Sequence, residues 1–227
     1  MNKSFSFLLL LTFIATGLAY ILTVLNQEIY LPMLVSVLLI ALCVKNQLNI
    51  IHLSTLLSIL IFLEIITIFF LDLYASDFPA YKANAYIYTV HFSFDLASFY
   101  AIKHRVKISL LIVKRFQPSK REYVYMTHAD ILLVGIFFLF MIVDISAFIE
   151  NLIRNMDYIF GIAEETAKPF WSWNWVYQSY PYAKAILLAA VVTVLLATVY
   201  VERFRPAPIN ESEEDSTLKK SEPQHRS

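Results

Sequence analysis

ILLVGIFFLFMIVDISAFI, residues 131–149, decides the fold: nineteen residues with a single charge, Asp144. A helix crossing the hydrocarbon of a bilayer takes about 20 mostly apolar residues. Working outward from this stretch, comparable runs fall at 5–25, 29–44, 50–71, 85–102 and 185–201. The second is short and the fourth is the most polar. The chain of 227 residues is 59% apolar and 16% charged. Soluble domains carry about 25% charged residues. The expectation is an all-α fold, a polytopic transmembrane bundle of six helices in residues 1–205, followed by a tail at 206–227.

The basic residues give the bundle a direction. Lys3 precedes the first run, Lys45 follows the second, and Arg203 and Arg205 follow the last. Lys103, Arg105, Lys107, Lys114, Arg115, Lys120 and Arg121 crowd the loop after the fourth. With these on one side and the tail counted with them, fourteen of eighteen Lys and Arg share that side. The opposite side keeps Lys82, Arg154, Lys168 and Lys184. Cytoplasmic loops carry the excess of Lys and Arg, so both termini are expected in the cytoplasm. The localisation that follows is a multi-pass integral membrane protein, in the plasma (inner) membrane if the source is bacterial. Lys3, the apolar run after it and Gly17-Leu18-Ala19 also resemble a signal peptide with a small-residue cleavage site. The run continues past that point to Leu25, so a retained span is expected; cleavage leaves five.

Two loops and the tail have their own character. In 103–121, Ile108, Leu111 and Ile112 fall at helical spacing between basic residues. That pattern suits a short interfacial helix on an anionic leaflet, with Lys103, Arg105, Lys107, Lys114 and Arg115 as lipid contacts. The plainer reading is topogenic charge flanking a span. Nucleic acid is not an expected partner of so short a membrane-pinned loop. Residues 150–182 read as a long outer loop holding Trp171, Trp173, Trp175, Tyr177, Tyr180 and Tyr182 around Pro169 and Pro181. Trp and Tyr favour the membrane interface, so an anchor or cap is expected there, with an aromatic ligand platform as the sharper alternative. The tail has an acidic run at 211–215 and few apolar residues to bury, so it is expected to be disordered.

One pattern carries possible chemistry. Asn84, Tyr88, His91, Asp95 and Ser98 recur at steps of four, three, four and three, which sets them on one helix face. Ile87, Val90, Phe94 and Ala97 occupy the other. A lipid-facing Asp is costly, so the polar stripe should face the bundle. Alternating span direction puts Glu64, His91, Asp95 and Asp144 at comparable depths, with Lys184 at the edge of the same region. Carboxylates gathered near one histidine form a candidate proton or cation cluster, with Tyr88, Ser98 and Lys184 in support. The bland reading is that these groups tie helices together.

Other chemistry finds little support. The lone cysteine, Cys43, excludes a Cys-x-x-Cys motif and an intrachain disulfide. His52 and His91 fall toward opposite ends of their spans, so no haem axial pair is evident, and the residues name no cofactor. His91 and Asp95 alone do not complete a metal set. No catalytic constellation is evident, and an enzyme is not expected. The chain has three glycines, Gly17, Gly135 and Gly161, with no GxxxG and no proline in mid-span. Carriers often use helices broken by Gly or Pro. The expected role is therefore an accessory subunit, anchor or sensor of a membrane assembly, with a membrane or cytoplasmic protein partner. The alternative is a small proton- or cation-linked transporter or channel using the Glu64, His91, Asp95 and Asp144 cluster.

Overall fold

The computed structural model describes residues 30–44 and 47–203, together with Gly17. The expected first span at 5–25, its signal-peptide reading, Lys3, Lys45, Arg205, the tail and the Cys43 side chain lie outside the described residues.

The described chain is all α, with no strand among the described residues. Helix α1 spans Tyr30–Cys43 and α2 Leu48–Tyr74. Helix α3 spans Ala80–Lys103, and α4 Arg105–Phe116 follows it after His104 alone. A 3-10 turn at Pro118–Tyr123 leads to α5, His128–Arg154. Short helices α6 (Met156–Phe160) and α7 (Glu164–Ala167) precede α8, Trp175–Arg203. Helix α3 packs most extensively on α5, α5 on α8, and α1 on α2.

Three helices are long and apolar enough to cross a membrane: α2, α5 and the stretch Glu164–Glu202 that contains α8. That is fewer than the six expected. Helix α1 is apolar over Met33–Leu42 but short. Helix α3 has the length, 24 residues, yet His91, Asp95 and its tyrosines and serines leave it less apolar than those three.

Helix ends run past the apolar runs that announced them. The run 131–149 lies inside α5, whose first turn is closed by Thr127 and Asp130: the Thr127 N–H donates to Asp130 Oδ2 at 2.6 Å. An acidic side chain reaching back to the residue before the helix satisfies a donor that the first turn leaves open. The stretch 150–182 is not one long loop. Helix α5 continues to Arg154 and α8 begins at Trp175, running through Pro181. Pro181 lies in the second turn of α8, where its missing N–H removes one helical bond. Between them Gly161 ends α6 at φ 66°, a left-handed position that glycine takes without a Cβ penalty.

Apolar residues lie both inside and outside. Val37, Leu57, Leu133, Phe140, Val191 and Leu195 form the core. Leu39, Phe62, Phe69, Phe70, Ile131, Phe138 and Ile186 stand exposed on the outer surface. Meanwhile Glu64, Asp95, Asp144 and Lys184 are buried. Helices apolar all round, with charges turned inward, are built for lipid.

Candidate functional site

The bundle has two ends. One carries Asn49, α4 and Tyr125, and is called the basic end here. The other carries the Glu150 and Trp175 layer, the aromatic end. Each has its own buried polar cluster.

The cluster toward the aromatic end draws one residue or more from each of four helices. On α3, the predicted stripe is the buried face: Tyr88, His91, Asp95 and Ser98 are all buried and Asn84 is partly so. The opposite face, Ile87, Val90, Phe94 and Ala97, is partly or fully exposed. His91 Nδ1 lies 2.7 Å from Glu64 Oε1 of α2. Lys184 of α8 donates to Asp95 Oδ2 at 2.7 Å and to Asp144 Oδ1 of α5 at 2.8 Å. One ammonium therefore holds two carboxylates side by side. Tyr180, one turn before Lys184, donates its hydroxyl to Asp144 Oδ1 at 2.9 Å. Its ring makes an edge contact with Tyr88 at 5.2 Å and stands 6.3 Å from the His91 ring. The Lys184 ammonium also lies 4.8 Å from the Phe140 ring centre, within cation–π range. Asp144 is wholly buried, and its Oδ2 has no hydrogen-bond partner.

The structure thus brings together Glu64 with His91, and Asp95 with Asp144, through Lys184. Lys184 is not an accessory at the rim but the centre of the group. Tyr88 supports it by packing on Tyr180; Ser98 lies on the same buried face, further toward the basic end. Tyr180 was missed by sequence reasoning, because a Trp- and Tyr-rich segment reads as an interfacial belt. Its position four residues before Lys184, one helical turn, was the available signal.

The charges do not balance by themselves. Three carboxylates face one lysine and one histidine. With all three ionised, the group is negative whichever form His91 takes. Buried charge of one sign calls for a further positive partner or a proton.

Above this group, at the aromatic end, Glu150 caps α8. Its two oxygens accept from the Val176 N–H at 2.8 Å and the Tyr177 N–H at 2.7 Å. Carboxylates suit a helix N-terminus because its first N–H groups are unpaired and carry partial positive charge. Arg154 sits over the Tyr177 ring at 5.4 Å, and Asn151 donates to the Tyr81 carbonyl at 2.9 Å.

The basic end corrects one expectation. Arg105 does not reach for lipid: it is 1% exposed. Its Nε donates to Asp130 Oδ1 at 2.7 Å and a terminal nitrogen reaches Asp130 Oδ2. That same terminal nitrogen also donates to the Tyr125 carbonyl at 2.6 Å, and the other donates to Asn49 Oδ1 at 2.9 Å. The planar guanidinium matches a carboxylate two bonds at a time, and one charge in a loop pattern gives no hint of that. Tyr125 also donates to Glu202 of α8. Lys103, Lys107, Lys114 and Arg115 are exposed, as a lipid contact requires, and so are Leu111, Ile112 and Phe116. The expected helix around 106–116 is α4, pinned to the bundle by Arg105, Ser109 and Val113.

Among the described residues no group of three or more His, Cys, Asp and Glu side chains is arranged to hold a metal ion. Compared with known families, with curated proteins and with solved structures, the chain matches none.

Proposed function

We propose that this chain is a six-span membrane protein, both termini cytoplasmic, serving as an accessory subunit, anchor or sensor of a membrane assembly. The observation that carries this reading is the bridge from Lys184 to Asp95 and Asp144, which ties three long helices together by buried charge. Breaking one partner out of such a bridge costs about 3–5 kcal/mol, so the helices resist sliding apart. A carrier needs two arrangements of its helices, whereas this brace favours one.

The exposed Lys103, Lys107, Lys114, Arg115, Lys120 and Arg121 share the basic end with α4, which supports a cytoplasmic assignment for that end. Leu111, Ile112 and Phe116 expose apolar surface beside those cations, a composition suited to an anionic leaflet. The acidic and basic runs of 206–227 supply a contact for a cytoplasmic partner.

Extraction in mild detergent, followed by mass spectrometry of what co-purifies, tests the reading. A stoichiometric membrane or cytoplasmic partner is expected, and deletion of 206–227 should release a cytoplasmic one. A homogeneous species free of partners from native membranes argues against a subunit.

A second reading, a small proton- or cation-linked transporter or channel, draws on the excess of carboxylate over positive charge in the Glu64, His91, Asp95, Asp144 and Lys184 group. Flux in liposomes that is lost in Asp95→Asn or Asp144→Asn supports it; equal flux in the variants removes it.

A further inference from the structure

We propose that the acidic segment 211–215 of this chain docks on the exposed basic face around α4 and competes there with anionic lipid for the same cations. The competition rests on the lipid reading of that face given above; the contact itself rests on charge and reach.

The face is unbalanced. Lys103, Lys107, Lys114, Arg115, Lys120 and Arg121 are all exposed. Among the described residues no ion pair engages any of the six. The acids in 103–130 are Glu122 and Asp130, and Asp130 is buried against Arg105. Six exposed cations therefore stand against one exposed acid, Glu122. Lys107 and Lys114 are seven residues apart, two turns along one side of α4, so their charges add on a single surface.

The occupant follows from sign and position. Residues 211–215 hold Glu211, Glu213, Glu214 and Asp215, four acids in five residues with no base among them. Lys219 and Lys220 carry the sign that the face repels, which confines the match to 211–215. The chain leaves α8 at the same end as the face. Helix α8 ends at Arg203; Glu202 accepts from the Tyr125 hydroxyl, and the Tyr125 carbonyl accepts from Arg105, the first residue of α4, at 2.6 Å. Both segments therefore share one end whichever way the bundle is oriented.

Reach is sufficient. Eight residues of chain lead from Arg203 to Glu211, at most about 29 Å at 3.6 Å per residue. The 12 residues of α4 measure about 18 Å at 1.5 Å per residue, so the acidic run reaches either end of that helix. A short tether keeps the run near the face at an effective concentration in the mM range. Exposed ion pairs are weak singly, but several held by one tether make a contact. Lipid headgroups recognise the same ammonium and guanidinium groups, so the segment and the leaflet exclude one another.

A spin-label pair at Ser119→Cys and Ser212→Cys, in the whole chain with Cys43→Ser and in neutral detergent, tests the contact. A short-distance population is expected at about 0.1 M salt and should vanish at about 1 M, where the Debye length falls from about 10 Å to about 3 Å. Neutralising the run with Glu211→Gln, Glu213→Gln, Glu214→Gln and Asp215→Asn should remove it too, and these changes lie outside the bundle. A distribution that neither salt nor neutralisation alters overturns the contact. Loss of the short population on dilution with unlabelled protein also overturns it, in favour of a second copy. Native mass spectra with phosphatidylglycerol test the competition: the neutralised tail should retain at least twice as many lipids as wild type. Equal retention overturns the competition. If Lys107→Gln, Lys114→Gln and Arg115→Gln together also leave retention unchanged, the lipid reading of the face falls with it; if they lower retention, the competition falls alone.

Discussion

Lys184 of α8 stands between Asp95 of α3 and Asp144 of α5, 2.7 Å and 2.8 Å from their carboxylate oxygens. One ammonium thus joins three helices. Removing it leaves two buried carboxylates side by side, which is worse than the loss of two hydrogen bonds.

Lys184→Met should therefore lower stability by about 3–5 kcal/mol, read as a loss of thermal midpoint in detergent. Pairing it with Asp144→Asn should recover part of that loss, because the second change removes a charge the first one stranded. Strict additivity of the two changes contradicts a shared bridge.

Arg105 should behave as a structural residue and its neighbours should not. Arg105→Lys keeps the charge but gives up the paired contact with Asp130 and the bond to Asn49. We expect a loss of about 1–3 kcal/mol, by the magnitude of charged hydrogen bonds. Lys114→Gln should change stability by less than about 0.5 kcal/mol, as exposed sites do. Equal effects at the two positions contradict the buried arrangement.

Lys107, Lys114 and Arg115 are instead the residues to test for lipid. Each basic group near an anionic surface contributes about 1 kcal/mol. Changing all three to Gln should reduce the number of anionic lipids retained in native mass spectra, with the fold preserved. Unchanged retention of phosphatidylglycerol excludes this face as the contact.

Glu150→Gln should loosen the start of α8. The carboxylate accepts two backbone N–H groups there, and an amide offers one oxygen in place of two. Faster hydrogen exchange at 176–180 is expected, with a stability loss of about 1–2 kcal/mol. Exchange unchanged from wild type rules out the cap.

Orientation can be read directly. Ser119→Cys and Ser172→Cys, each in a Cys43→Ser background, report the basic and aromatic ends. An impermeant thiol reagent added to intact cells should label the second and spare the first. The reverse pattern inverts the topology proposed above.

The sequence alone determined which face of α3 is buried. The four- and three-residue steps of Tyr88, His91, Asp95 and Ser98 mark one side of α3, because helical periodicity is a local property. The apolar runs likewise located α2, α5 and α8, though not their ends: Thr127, Glu150 and Trp175 lie beyond the hydrophobic signal. Alternating direction brought Glu64, His91, Asp95 and Asp144 to similar depth. Only the tertiary structure decided the pairing. Whether Lys184 meets Asp95, Asp144 or neither depends on how α3, α5 and α8 are rotated against one another and on the reach of a four-carbon stem. The same holds for Arg105, whose charge marks it for a lipid surface while its geometry commits it to Asp130 and Asn49. Periodicity sets the direction in which a side chain leaves its own helix; the partner it meets is set by packing between helices far apart in the chain.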